Sequence, residues 1–371
     1  MWLTGGINMG IPVAIIGAGN GGAAFAAHMT LCGEEVRLTD LFPEVLKDIK
    51  KTGTILLKYR EVTRSVKPYL VTENVAEALC RAKLIMVITP AFTHRMIAKA
   101  CASLFEDGQV IVLNPGRTAG ALEFLRVLRA NGCDKQVVVA ETQTLVYSCR
   151  RSDQEGAVEV YGVKSQVDIS AIPGDKMPQV LKLLRNSYPQ FKAVNSTLTT
   201  GLANIGCVFH PAPILLNTGR VETGKENFLY YKEGISPSVS KVAESIDEER
   251  MAVAAAYGVK VPSAFEWLND SYDVTGDTLY ERIQSNEAYR DIIAPRTVNA
   301  RYLTDDVPNG LVPILELGKA AGVQTPVINA VITLANTMFG RDFSKEGRTL
   351  RSLGLEGANK EKIYQYFKTG Y

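Results

Sequence analysis

The stretch "PVAIIGAGNGGAAFAAHMTLCGEEVRLTD", residues 12–40, decides how the first half of the chain folds. A short apolar run, Val13 to Ile16, leads into Gly17-x-Gly19-x-x-Gly22, then a helix of small residues, then a second strand ending on Asp40. The three glycines answer different steric demands: Gly17 allows the tight turn, Gly19 lets a pyrophosphate approach the backbone, and Gly22 lets helix and sheet pack closely. The N-terminus of that helix directs free N–H groups and partial positive charge at the phosphates. Gly17, Gly19, Asn20 and Gly22 are therefore the expected cofactor loop. Asp40, 23 positions after Gly17, is placed to accept hydrogen bonds from the ribose hydroxyls and to repel a 2′-phosphate, which favours NAD over NADP. Read instead as the start of the turn before Pro43, Asp40 would leave the cofactor preference open.

Working outward, "LIMVIT" (84–89), "QVIVLN" (109–114) and "QVVVAE" (136–141) are short, nearly all-apolar runs separated by helical patterns. Such runs suit a parallel sheet covered on both faces, whose ligands sit beyond the carboxyl ends of the strands. Pro90, the Asn114-Pro115-Gly116 turn and Thr142-Gln143-Thr144 become candidates on that ground. His94 is expected in solvent at the start of a helix, with a cofactor-facing position as the alternative; His28 is expected to be structural or on the surface. "GAVEVYGVK" and "QVDISAIPG" add strands, and "GDKMPQVLKLLRNSYPQF" has helical spacing. These segments carry the first domain, an α/β Rossmann dinucleotide-binding domain, over residues 1–195.

From about Thr197 helical signals replace strand signals, so residues 196–371 are expected to form an all-α domain for substrate binding and catalysis. "SPSVSKVAESIDEERMAVAAAYGV" opens with Ser236 as N-cap and Pro237 in the first turn, and "TPVINAVITLANTMFG" repeats that logic from Thr325. No fixed-period repeat or low-complexity tract interrupts either half. The cleft between the two domains is the default site.

The bulk properties narrow the function classes. At 371 residues the chain exceeds one ordinary core and suits two domains. With 46% hydrophobic and 22% charged residues it has the composition of a globular protein. The net charge of +2, without long basic runs, lacks the footprint of a nucleic-acid binder and points to small-molecule partners. Six scattered cysteines form neither CxxC pairs nor a metal-ligand set, so reduced thiols in the cytoplasm and no metal are expected. The opening residues have no basic n-region ahead of the glycine motif, and no run reaches 18 apolar residues, so neither a leader nor a membrane span is expected.

A nicotinamide cofactor supplies hydride, which leaves the protein to provide a proton donor and a substrate anchor. His210, in "GCVFHPAPILLNTGR", is the natural donor near neutral pH, although its apolar neighbours taken alone favour a packing histidine. "RYLTDDVPNGLVPI" then concentrates Arg301, Asp305 and Asp306 beside apolar sequence. Arg301 and Asp306 could also be a structural salt bridge, and Asp305 is expected to be a solvated helix cap.

Through "GAGNGG", "ETQTLVYSCR", "HPAPILLNTG" and "RYLTDDVP", in this order, the chain resembles the octopine/nopaline (opine) dehydrogenase family over nearly its whole length. The resemblance implies that His210 is the acid/base, that Asp306 pairs with it, that Arg301 binds a substrate carboxylate, and, as a looser transfer, that Thr144 lies near the oxo acid. It implies NADH-dependent reductive condensation of an amino acid with a 2-oxo acid to an N-(1-carboxyalkyl)-amino acid. The chemistry suits these roles. A carboxylate on one imidazole nitrogen leaves the other free to move a proton, and a guanidinium fork holds a carboxylate through two bonds. The alternatives are a reductase similar to ketopantoate reductase, which needs no amine and relies on a lysine that no motif places here, and a non-catalytic NAD-binding sensor. Neither substrate's identity nor the oligomeric state is legible; a homodimer is one candidate assembly.

Overall fold

β1 (Pro12–Ile16) pairs in parallel with β2 (Glu35–Thr39) on one side and β6 (Leu84–Val87) on the other, so the strand feeding the glycine loop lies inside the sheet. The computed structural model describes residues 10–224 and 227–371. Residues 1–9, where no leader is expected, lie outside the described residues. One unit comprises the described residues up to Thr200 together with Phe367–Tyr371, and a second runs from Gly201 to Tyr366.

The first unit is built on an eight-stranded sheet. Besides β1, β2 and β6 it contains β5 (Leu70–Val71), β7 (Val110–Leu113), β8 (Val138–Thr142), β11 (Val167–Ile172) and β12 (Phe191–Ala193), in the order β12-β11-β8-β7-β6-β1-β2-β5. All neighbours run parallel except β11, which is antiparallel to β8. Every residue of β6, β7 and β8 is buried; β6 and β7 are unbroken apolar runs for that reason, whereas β8 ends on the buried polar residues Glu141 and Thr142. The helix Asn20–Leu31 buries Ala23, Ala24, Ala26 and Ala27, small residues that let its axis come close to the sheet.

A second sheet in the same unit has the order β4-β3-β10-β9, from β3 (Ile55–Tyr59), β4 (Val62–Val66), β9 (Tyr147–Arg151) and β10 (Ala157–Val163). Of these, only the β10 segment was expected. The β3–β4 hairpin turns through Arg60 and Glu61, with Arg60 at φ +52°, a position where glycine or asparagine usually announces the turn. The chain ends in this unit as well: Thr197 Oγ1 donates to the Phe367 carbonyl at 2.6 Å, and Gly370 packs against Ile172 and Leu125.

The second unit is helical; among the described residues its only β pairing is the isolated bridge Leu229–Ile293. Its longest helix, Pro237–Ala256, is capped by Ser236, whose side chain accepts from Val239 N at 3.3 Å, with Pro237 at the first position. The helix Pro326–Phe339 likewise follows Thr325. Arg250 is completely buried; its guanidinium reaches Asp247 at 2.6 Å and the carbonyls of Leu202 and Pro262 at 2.5 and 2.6 Å. That pairing ties the long helix to the segment just before His210. No described helix is long and apolar enough to cross a membrane.

Candidate active site

The glycine loop is stereochemically constrained at two positions and open at the third. Gly17 has φ +110°, and a Cβ there would stand 2.4 Å from the Ile88 carbonyl oxygen. A Cβ on Gly22 would meet the Gly17 carbonyl oxygen at 1.7 Å. Gly19, immediately before the helix that starts at Asn20, has nothing within 4 Å of that position. Gly17 and Gly22 are thus required by the chain's own packing, whereas the space at Gly19 fits an outside group such as a pyrophosphate against helix N–H groups.

Asp40 ends 2.7 Å from Ala18 N and 2.9 Å from Phe42 N, one carboxylate oxygen to each. It therefore braces the loop and starts the turn towards Pro43 together. Each oxygen keeps lone-pair capacity for a further donor. Sequence reasoning missed Arg151, at the end of β9. Its backbone N–H donates to Asn20 Oδ1 at 2.9 Å, and its guanidinium to the Ala18 carbonyl at 3.1 Å. Burial pulls its pKa down, while the nearby Asp48 carboxylate opposes that shift. No sequence spacing links residues 151 and 18; the second sheet brings them together.

Beyond the carboxyl ends of the strands lie the other candidates of this unit. Pro90 is exposed after β6, and its carbonyl accepts from Thr93 N at 3.1 Å. Asn114 is buried, its side-chain amide donating to the Val112 carbonyl at 2.9 Å. Thr144 is half-buried two residues beyond β8. Glu141, also missed, is a fully buried carboxylate that accepts from Ala121 N and Thr200 Oγ1, both at 2.7 Å.

One histidine expectation changes and another is narrowed. His94 is fully buried, not solvated: it shares one face of its helix with Ile97, Ala98 and Cys101, at positions i, i+3, i+4 and i+7, and that face packs inward. His28 is structural and buried, its Nδ1 2.7 Å from Tyr147 Oη, and burial lowers its pKa to about 4.

In the second unit, His210 sits between the helices Gly206–Phe209 and Pro211–Leu216. Pro213 has no N–H to return to the Phe209 carbonyl four residues earlier. Tyr230 Oη fills that role, donating to the carbonyls of Phe209 at 3.1 Å and His210 at 2.7 Å. The backbone under the histidine is thereby pinned where the prolines interrupt the helical ladder.

The His210 side chain is fixed on two sides. Nδ1 lies 2.7 Å from Oδ2 of Asp306, a carboxylate that is 1% exposed, and the ring stacks on Tyr302 at 4.4 Å and 16°. An ionised carboxylate only accepts, so Nδ1 carries the proton and Nε2 presents its lone pair. Tyr231 Oη stands 3.5 Å from Nε2. Arg301 is exposed at the head of the helix Arg301–Thr304, with its guanidinium 5.7 Å from the Tyr302 ring centre. Its charge acts on Tyr231, which burial above all holds well above the usual phenol range.

Asp305 is not solvated. It is 2% exposed and accepts from Asn309 Nδ2 at 3.1 Å, because the chain passes directly from the short helix into a single π turn, Val307–Leu311, that faces inward. Among the described residues, no group of three or more His, Cys, Asp or Glu side chains could hold a metal ion. The arrangement as a whole offers an oriented imidazole with one available nitrogen, a buried carboxylate behind it and an exposed guanidinium on the neighbouring turn. That set can move a proton at a substrate atom and hold an anionic group.

Comparison with known proteins places both halves. Residues 193–339 match the alpha-helical domain of NAD/NADP octopine/nopaline dehydrogenases, and residues 12–126 match the N-terminus of NAD-dependent glycerol-3-phosphate dehydrogenases. The opine dehydrogenase of Arthrobacter sp. (strain 1C) is 42% identical over 344 residues, covering 93% of this chain and 95% of that protein. The octopine dehydrogenase of Pecten maximus is 26% identical, covering 91% and 93% respectively. A solved structure of octopine dehydrogenase with NADH and pyruvate is similar with a TM-score of 0.75 at 25% identity, covering 97% of this chain and 98% of that one. A ketopantoate reductase from Ralstonia eutropha JMP134 shares the fold, with a TM-score of 0.60 at 16% identity over 90% of this chain and 98% of that one.

Proposed function

The chain belongs to the octopine/nopaline (opine) dehydrogenase family, and from that premise we propose how its residues divide the work. It is an NAD-dependent oxidoreductase acting on CH–NH groups, and it joins an amino acid to a 2-oxo acid reductively and reversibly. In the synthetic direction the ammonium nitrogen gives up two protons and adds to the carbonyl carbon; the carbonyl oxygen leaves with those protons as water, giving a protonated imine. NADH, when bound, supplies the hydride that the imine carbon accepts.

His210 is the acid/base: Nε2 takes protons from the attacking amine and returns them to the departing oxygen. Asp306 holds the tautomer and supports the imidazolium each time it forms. Arg301 anchors the oxo-acid carboxylate, and Thr144 borders the oxo acid. Gly17, Gly19, Asn20 and Gly22 hold the pyrophosphate, with Pro90 beside the cofactor, and Asp40 turns its remaining lone pairs to the ribose, which favours NAD over NADP. The cofactor-binding part is the first unit, through Thr200 together with Phe367–Tyr371, and the substrate and catalytic part is the second, Gly201–Tyr366. Six free cysteines support a cytoplasmic setting, and a homodimer is the candidate assembly.

The observation that carries this assignment is the 2.7 Å contact between His210 Nδ1 and the buried Asp306 carboxylate. Pyruvate is the first oxo acid to try. Purified protein should oxidise NADH only when both an oxo acid and an amino acid are present, and it should lose that activity on His210→Asn. Turnover with the oxo acid alone would instead indicate a plain reductase, and full activity in His210→Asn would remove the histidine from the mechanism.

A further inference from the structure

Tyr230 and Tyr231 are consecutive residues with opposite tasks. The bridge Leu229–Ile293 and the bond from Tyr230 N to the Ile292 carbonyl, 2.7 Å, fix the backbone that carries them. Tyr230 spends its hydroxyl on the carbonyls of Phe209 and His210. The Tyr231 ring stands perpendicular to that of Tyr230 and stacks on Tyr289 at 4.0 Å, so the side chain is 6% exposed and has little freedom. Its hydroxyl ends beside the one His210 nitrogen that Asp306 does not occupy.

The spacing between Tyr231 Oη and His210 Nε2, 3.5 Å, is longer than a well-formed hydrogen bond, and it is the only hydrogen-bonding approach to that hydroxyl among the described residues. A buried hydroxyl in so stretched a contact carries much of its desolvation cost uncompensated. Two groups at that separation can both reach one oxygen or nitrogen at about 2.8 Å. Aromatic burial and the carboxylate of Asp306 both disfavour ionisation of the phenol, so it remains a donor.

Resting on the assignment of His210 as acid/base, we propose that Tyr231 donates a hydrogen bond to the same substrate oxygen that His210 Nε2 protonates. As the amine adds to the carbonyl carbon, negative charge develops on that oxygen, and the pair of donors stabilises it. The tyrosine keeps its proton throughout; only the histidine transfers one. The carbonyl oxygen of the bound oxo acid is a weaker acceptor than the oxygen in the transition state, so the hydroxyl acts mainly on the rate.

The test is Tyr231→Phe, which keeps the ring and its stacking, assayed with saturating amino acid beside His210→Asn. Loss of one such donor typically costs about 100-fold or more in kcat, and KM for the oxo acid should move far less. A kcat within twofold of the parent, or a change confined to KM, overturns the role of Tyr231 while an inactive His210→Asn leaves the histidine in place. An active His210→Asn overturns the underlying assignment instead. Should Tyr231→Phe unfold at a lower temperature, 3-fluorotyrosine at position 231 preserves the shape and alters only the acidity of the hydroxyl. A changed kcat there supports donation, and an unchanged one rejects it.

Discussion

Asp306 and His210, 96 positions apart, meet through a single 2.7 Å contact between Oδ2 and Nδ1, and the carboxylate has almost no exposure to water. Removing the charge with Asp306→Asn frees the imidazole to adopt the other tautomer, which presents an N–H where a base is needed. The expected loss in kcat is on the order of 10³ to 10⁴. Because the two groups act as one unit, the double variant with His210→Asn should lose little more than either alone. Losses that multiply, measured by steady-state kinetics, would mean the residues act separately.

Arg301 is exposed, so its substitution should leave the fold intact and act on a ligand. Arg301→Lys keeps the charge but loses the planar two-pronged donor set, and a roughly tenfold or greater rise in KM for the oxo acid is expected. A rise in KM for NADH alone would assign the guanidinium to the cofactor instead.

Gly22 and Gly19 of the loop should separate folding from binding. Gly22→Ala places a methyl 1.7 Å from the Gly17 carbonyl oxygen and should displace the helix, lowering the melting temperature with or without cofactor. Gly19→Ala meets no protein atom within 4 Å, so the apoprotein should melt unchanged while NADH binding, followed by calorimetry, weakens. Equal NADH affinity in Gly19→Ala would mean that the pyrophosphate does not approach this position.

His28 predicts an acid weakness. Burial lowers its pKa from the ordinary 6.5 to about 4, so between those values the unfolded chain binds a proton that the folded one refuses. Above pH 6.5 the histidine is neutral in both states and contributes no pH dependence. As the pH falls through this window stability declines, by up to about 3 kcal/mol. His28→Asn should flatten that part of the curve of melting temperature against pH; an unchanged slope would place the acid sensitivity elsewhere.

The glycine loop, the parallel strands and the capped helices were legible because each is written locally: in glycine spacing, in unbroken apolar runs, in Ser236 followed by Pro237. Proximity across long separations was not. Nothing in the order of residues links Arg151 to Asn20, or Tyr231 to His210, since those contacts depend on how sheets and helices pack. The hairpin at Arg60 was missed because its turn lacks the usual residues, and the solvated reading of His94 and Asp305 failed because polar identity says little about which helical face a residue occupies. His210 and Asp306 became a pair on the page through a family pattern, not through periodicity.

The return of Phe367–Tyr371 to the first unit means that the polypeptide leaves that unit and later comes back to it. In chain topology, the helical part is a long excursion spliced into the dinucleotide-binding fold. A single protease cut near residue 200 would therefore not liberate a finished cofactor module: the released fragment would lack its closing segment, and Thr197 would lose the carbonyl to which it donates. The polypeptide therefore crosses between the halves twice, and an engineered split enzyme would have to supply that short tail in trans to complete its N-terminal piece.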